Sequence, residues 1–358
     1  MNRSFAAPSA LAPRHAAPQH RPRPLPLFLE LLRSETAAHP ERMKTALEGL
    51  RKYQEASRRD PGEPMPALAQ AHGAALRDYG GSGVPTVFVP SLINPPNVLD
   101  MGDRSLLRWL SGRGRRVLLL DWGWPGPERR EMSVAGHVEQ ILLPLLAALG
   151  ERAILAGYCL GGTMALAAAG PSGAPGVATI AAPWHFHGFP AGSRQGLIEL
   201  WDGARPTVEA LGLLPMELLQ SAFWSLDPGR TVAKFEAFAD LEGEEARTFV
   251  MLEDWANDGP PISAAAGREM FEDLLGADVT GTRRWCVAGR VVDPPALPCR
   301  VLDIVSTTDR IVPAATAHGT GERLDLDLGH VGMIVGSRAR AAVWEPLDAW
   351  LSRTAASC

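Results

Sequence analysis

The stretch Gly157-Tyr158-Cys159-Leu160-Gly161 sets a thiol in a Gly-x-Cys-x-Gly frame. An apolar run over residues 153–156 precedes it, and a run of small residues over 164–169 follows. Strand, sharp turn and helix in that order describe a nucleophile elbow. The flanking glycines answer a steric need, because the backbone at the nucleophile is strained and the helix passes close to its neighbours. A helix N-terminus directly after the cysteine favours a thiolate and a developing oxyanion. The chemistry predicted is acyl transfer through a covalent thioester on Cys159.

Such a nucleophile needs a base, and the base needs an orienting acid. In chains with this elbow the order is nucleophile, acid, histidine. Residues 300–305 read as a buried strand, and the polar loop from Ser306 to Pro313 carries Asp309 at its tip. A shorter strand over 323–328 leads into Gly329-His330-Val331-Gly332. His330 is the expected base and Asp309 the expected acid. Asp309 either orients His330 or takes the proton of an incoming hydroxyl, and both roles stay open. Backbone N–H groups of Leu160, next to the nucleophile, and of Ile93, in the loop after an early strand, are the expected oxyanion donors.

Other titratable residues are given plainer roles. Asp303 lies inside a strand, and Asp325 and Asp327 alternate along one, so they are expected to face solvent or cap edges. His185 and His187 follow the apolar run 177–181 and read as loop residues, with a pocket role as the alternative. His137 and His318 read as helix-surface or loop positions. No third ligand with metal-like spacing accompanies them, and neither a resident metal nor a cofactor is expected.

The elements that must position the triad alternate from residue 84 onward. Strands are predicted over 84–89, 116–120, 153–156 and 177–181, with a helix over 134–149. Alternation of this kind builds a parallel sheet with helices on both faces. Residues 190–285 break the pattern. They are mostly helical in character and rich in Leu, Phe and Trp, which predicts a helical lid inserted before the last strands. The fold class is α/β, an α/β-hydrolase fold with a mostly parallel central sheet. Its core is assigned to 81–189 and 286–358. A helical segment is assigned to 27–80, and residues 1–26, with six prolines and no acid, read as a disordered basic arm.

A chain of 358 residues that is 46% hydrophobic buries a sizeable core. A formal charge of −5 argues against general nucleic-acid binding. Four cysteines show no disulfide or zinc spacing, and a working thiol suits a reducing compartment. Neither a secretory leader nor a transmembrane segment is expected.

Several motifs together resemble polyhydroxyalkanoate synthases: Pro96-Asn97-Val98-Leu99-Asp100, Asp121-Trp122-Gly123, the elbow through Thr163, Asp309-Arg310-Ile311-Val312-Pro313, and Gly329-His330-Val331-Gly332. In the insertion, Leu214-Pro215-Met216, Lys234-Phe235 and Leu252-Glu253-Asp254-Trp255 add to the likeness. The chain length is nearest to the catalytic subunits of the short two-component synthases. The resemblance implies a cytoplasmic, granule-associated enzyme that polymerises (R)-3-hydroxyacyl-CoA and releases coenzyme A, using Cys159, His330 and Asp309. Coenzyme A would arrive as part of the substrate. The implied partners are the growing polyester, a second copy of the chain, a small helical synthase subunit and the granule surface.

The chain departs from the family at Leu160, at Pro95, where a basic residue is usual, and at Pro183-Trp184-His185-Phe186. These leave the triad in place and keep two other readings open. One is an intracellular polyester depolymerase or acyl-CoA thioesterase using the same triad with water as acceptor. The other is a silent scaffold that binds granules through its lid.

Overall fold

The computed structural model describes residues 22–58 and 62–357, so most of the predicted 1–26 arm lies outside the described residues. Eight strands form one sheet: β1 (Ala67–Ala71), β2 (Ala74–Asp78), β3 (Ser82–Val89), β4 (Arg115–Asp121), β5 (Ile154–Tyr158), β6 (Gly176–Ile180), β7 (Arg300–Ser306) and β8 (Glu322–Leu326). Their order across the sheet is β1-β2-β4-β3-β5-β6-β7-β8. From β4 to β8 all neighbours pair parallel, and β2 runs antiparallel to both β1 and β4. Every residue of β5 and β6 is buried. That is why these strands read as unbroken apolar or small-residue runs rather than alternating ones.

The chain runs from β3 outward to β4 and then returns to place β5 on the other side of β3. The direction of winding therefore reverses beside β3 and β5, and a crevice opens at such a point outside the strand C-terminal ends. Helix Leu160–Ser172 leaves from the end of β5, and ten of its residues, from Leu160 to Ala169, are buried. Its small side chains let it run against the sheet without displacing it. The predicted helix over 134–149 is helical at Val134–His137 and Leu143–Ala147, with a wider π turn at Val138–Leu142 between them. The widening falls just ahead of Pro144, whose ring cannot follow the carbonyl four residues back.

Residues 67–78, grouped at first with the N-terminal helices, instead form the hairpin of β1 and β2. Alanine-rich sequence favours helix in isolation, but pairing of β2 with β4 overrides that weak preference. The hairpin turns through His72 and Gly73, both at positive φ (49° and 78°), as a tight two-residue turn requires.

Among the described residues two compact units are present, one of residues 22–58 with 228–250 and one of 62–227 with 251–357. In the first, helices Leu25–Glu35 and Pro40–Glu55 pack with Pro228–Phe238. The first of these helices begins within the stretch expected to be a disordered arm. Gly49 is required at the crossing, because a side chain there would lie 1.9 Å from the Phe235 carbonyl oxygen. Phe28 and Tyr53 meet Phe235 edge-on, at 5.0 and 5.8 Å between ring centres. The second unit contains the sheet, both of its hydrophobic faces and Cys159, Asp309 and His330.

Candidate active site

Cys159 follows the last residue of β5, Asp309 lies in the loop after β7, and His330 lies in the loop after β8. Because β5, β7 and β8 all run parallel, these loops emerge at the same edge of the sheet. The loop after β3, residues 91–94, emerges there too. A separate surface cleft, lined by Arg152, Pro175, Cys299 and Arg300 among others, lies beside the N-terminal ends of β5, β6 and β7, at the opposite edge.

The elbow is built as its glycines require. Cys159 has φ 55° and ψ −133°, a conformation that side-chain-bearing residues rarely hold. Its N–H donates to the Ile180 carbonyl at 2.9 Å, and its carbonyl accepts from Gly162 N–H at 2.8 Å, so sheet and helix together hold the strain. A side chain at Gly157 would lie 2.4 Å from Gly162 Cα, and one at Gly161 would lie 2.1 Å from the Val89 carbonyl oxygen. At Gly162 it would meet the Ala182 methyl at 2.4 Å. Three glycines are needed, one for each neighbour of the turn.

His330 Nδ1 lies 2.6 Å from Asp309 Oδ2, and the His330 side chain is 7% exposed. The other Asp309 oxygen accepts N–H bonds from Ile311 (2.8 Å) and Val312 (3.1 Å). An acceptor held by three donors is a carboxylate with a fixed direction. With Nδ1 occupied by Asp309, Nε2 is the ring nitrogen left to serve Cys159, and the two side chains interact closely enough for Cys159 to raise the His330 pKa. Burial alone would lower the pKa of His330, but Asp309 and Cys159, through charge and hydrogen bonds, outweigh it and push it up to about 10. The arrangement favours the imidazolium form of His330.

Tyr158 supports the ring from beneath, with ring centres 5.0 Å apart, and its hydroxyl donates to the His330 carbonyl at 3.3 Å. Burial holds the Tyr158 phenol protonated, with its pKa far above the usual value. On the acid loop, Arg310 pairs with Asp227 at the end of helix Met216–Leu226, which fixes the residue beside Asp309.

The two expected oxyanion donors stand differently. Leu160 is the first residue of its helix, where a backbone N–H has no intrahelical partner. The Ile93 N–H already donates to Ser91 Oγ at 3.0 Å. A role for Ile93 requires that bond to be exchanged for the substrate oxygen.

Three residues read as peripheral, Asp303, His318 and His137, are instead buried. Asp303 and His318 cluster with Thr179 in the core: Thr179 Oγ1 donates to Asp303 Oδ1 at 3.0 Å and lies 2.9 Å from His318 Nε2. Thr320 N–H donates to His318 Nδ1, so the proton of the neutral ring sits on Nε2. Burial lowers the pKa of His318 and keeps it neutral. Asp303 faces Thr179 across the β6–β7 pairing, and this register, invisible in a linear reading, explains its burial. His137 is buried too, with Nδ1 2.7 Å from the Ser133 carbonyl, and burial lowers its pKa to about 4. Asp325 and Asp327 pair with Arg323 and Arg338 at the surface, as expected. His185 and His187 lie in the loop after β6, where His187 neighbours Asp278 at 3.6 Å. Among the described residues no cluster of His, Cys, Asp and Glu could hold a metal ion.

Sheet order and the strand–turn–helix at Cys159 define the class of the protein as the α/β-hydrolase fold. A solved structure from work on carboxylesterases of Nitrososphaera gargenis matches with a TM-score of 0.51 at 15% identity, covering 82% of this chain and 100% of that one, which supports the fold alone. No protein-family model matches the chain. Among curated proteins, the poly(3-hydroxyalkanoate) polymerase subunit PhaC of Haloferax mediterranei is 26% identical over 293 residues, 75% of this chain and 58% of that protein. The PhaC subunit of Allochromatium vinosum is 26% identical over 291 residues, 75% of this chain and 81% of that one. Within the α/β-hydrolase fold, the chain is therefore similar in sequence to poly(3-hydroxyalkanoate) polymerase subunits. It spans less than two thirds of the length of the Haloferax relative.

Proposed function

We propose that the protein polymerises (R)-3-hydroxyacyl-CoA through a thioester on Cys159. The observation that supports this reading is that Cys159, His330 and Asp309 gather at one sheet edge, with His330 Nδ1 2.6 Å from Asp309 Oδ2, in a chain similar to polymerase subunits. The Cys159 thiolate attacks the acyl carbonyl, and the Leu160 N–H faces the oxygen that becomes negative. The carbon–sulfur bond to coenzyme A breaks, and the departing thiolate takes the proton held by His330. The acyl group stays on sulfur, as activated as it was before. His330 then accepts the proton of an incoming 3-hydroxyl, whose oxygen attacks the Cys159 thioester, forms the ester and frees the thiolate. A serine at this position would hold the acyl group as an oxyester and lose the driving force for transfer to an alcohol.

The test is incubation of the purified protein with 3-hydroxybutyryl-CoA. Release of coenzyme A with insoluble polyester is the expected result, and Cys159→Ala, still folded, should release none. Coenzyme A released together with free 3-hydroxybutyrate and no polymer would overturn polymerisation in favour of hydrolysis. The acceptor surface, the need for a small helical subunit and a site of action at the granule belong to the same proposal. Adding granules or a candidate subunit to this assay tests them. Among the described residues no helix is long and apolar enough to cross a membrane.

A further inference from the structure

Asn94 ends the loop after β3 in the left-handed region, at φ 63°. Few side chains accept that conformation, and asparagine is one of them. Its amide nitrogen lies within bonding distance of three carbonyls, those of Ala256 (3.1 Å), Asp258 (3.2 Å) and Trp255 (3.4 Å). These lie at and just beyond the C-terminal end of helix Gly243–Ala256, where the last carbonyls have no partner within the helix. The contact is reciprocal, since the Trp255 indole N–H donates to the Pro95 carbonyl at 2.8 Å. Gly259, at φ 139°, completes the fit, because a side chain there would lie 3.2 Å from Asn94 Cα. The residues from Trp255 to Gly259 thus close around one asparagine.

This loop also carries Ile93, whose N–H is engaged by Ser91 Oγ, and it touches the elbow where Gly161 meets Val89 and Pro90. Rotation about the N–Cα bond of Asn94 orients the peptide joining residues 93 and 94, and the Ile93 N–H belongs to the peptide just before it, so fixing Asn94 fixes the loop one residue beyond that donor. We propose that Asn94 is a positioning residue for acyl transfer. By capping the end of helix Gly243–Ala256 from outside, it holds the oxyanion side of the site in register with Cys159. Asn94 need not touch the substrate to do this. The proposal rests on the acyl-transfer reading and not on polymerisation.

The test compares Asn94→Asp, which puts a carboxylate against the same carbonyls, with Asn94→Gly, which keeps the left-handed backbone and loses the amide. Both are made in a Cys286→Ser background, because Cys286 is an exposed thiol. Alkylation of Cys159 by iodoacetamide needs the thiolate but no oxyanion site. Acylation by p-nitrophenyl acetate needs both, without recognition of coenzyme A. Alkylation should stay within about twofold of the parent. Acylation, and coenzyme A release from 3-hydroxybutyryl-CoA, should fall about 10- to 100-fold, in kcat rather than KM.

Unchanged acylation in both variants overturns the proposal. So does an equal fall in alkylation and acylation, which would make Asn94 a general prop of the fold. A parent that acylates from the nitrophenyl ester but releases no coenzyme A overturns the substrate reading alone, and Asn94 is then judged from the ester. A parent that accepts neither substrate overturns both.

Discussion

Asp309 reaches His330 at 2.6 Å with one oxygen while its other oxygen is held by two backbone N–H groups of its own loop. The acid therefore cannot turn away from the ring without breaking its own loop. Asp309→Asn keeps the shape and removes the charge. Turnover should fall about 10²- to 10⁴-fold, as when the acid of a comparable relay is neutralised.

The same pair makes a prediction about pH. With its pKa raised to about 10, the His330 ring stays protonated well above the range of an ordinary histidine. A raised pKa contributes stability that is complete below about 6.5 and is lost as pH climbs through about 10. In Asp309→Asn the desolvating surroundings remain while the largest opposing charge is gone, so the ring should titrate at a lower pH. Nitrogen-detected NMR of His330 across this range is the check. Identical titration in the two proteins would separate Asp309 from the charge on the ring.

His137 runs the other way. Buried and neutral, with its pKa lowered to about 4, it binds its proton more weakly folded than unfolded. Its contribution is complete above about pH 6.5 and fades as pH falls through 4, by about 3 kcal/mol in all. His137→Gln removes this titration. Denaturant midpoints should show the stability gap between parent and variant narrowing as pH drops across that window.

The glycines divide into two kinds. Gly157→Ala or Gly162→Ala drives a methyl to 2.4 Å from its neighbour and should cost about 3 kcal/mol or more. Gly192 and Gly203 lie inside helix Ala191–Leu211 with nothing within 4 Å of an added methyl. Alanine at either should be neutral or stabilising by up to about 1 kcal/mol. Thermal midpoints that moved alike in all four variants would contradict this division.

Cys159→Ser should fold with the parent's stability and lose about 10³-fold or more in coenzyme A release, because a hydroxyl next to the same imidazole is rarely ionised. Stopped-flow measurement of the acylation step checks it. Retained turnover would show that thioester chemistry is not needed.

Much of this candidate site could be read from the chain because Cys159, Asp309 and His330 each follow a strand, and strands announce themselves locally. The apolar runs of β5, β6 and β7 and the glycines at 157, 161 and 162 are local signals of this kind. What the chain concealed depends on pairing. The burial of Asp303 follows from its place opposite Thr179, and that of His318 from a loop folding back onto both. The β1–β2 hairpin was hidden by alanine, whose own preference is helical. Asn94 looks like an ordinary loop residue until the end of a helix more than 150 positions later is brought against it.

Cys159 occupies a backbone shape that most side chains refuse, held there by the sheet on one side and the helix on the other. Glycine would sit there at ease. Selection for thermal tolerance alone should therefore drift toward replacing this residue, and each gain won that way would extinguish turnover. For a residue proposed to carry the acyl group, endurance and chemistry then compete for a single position.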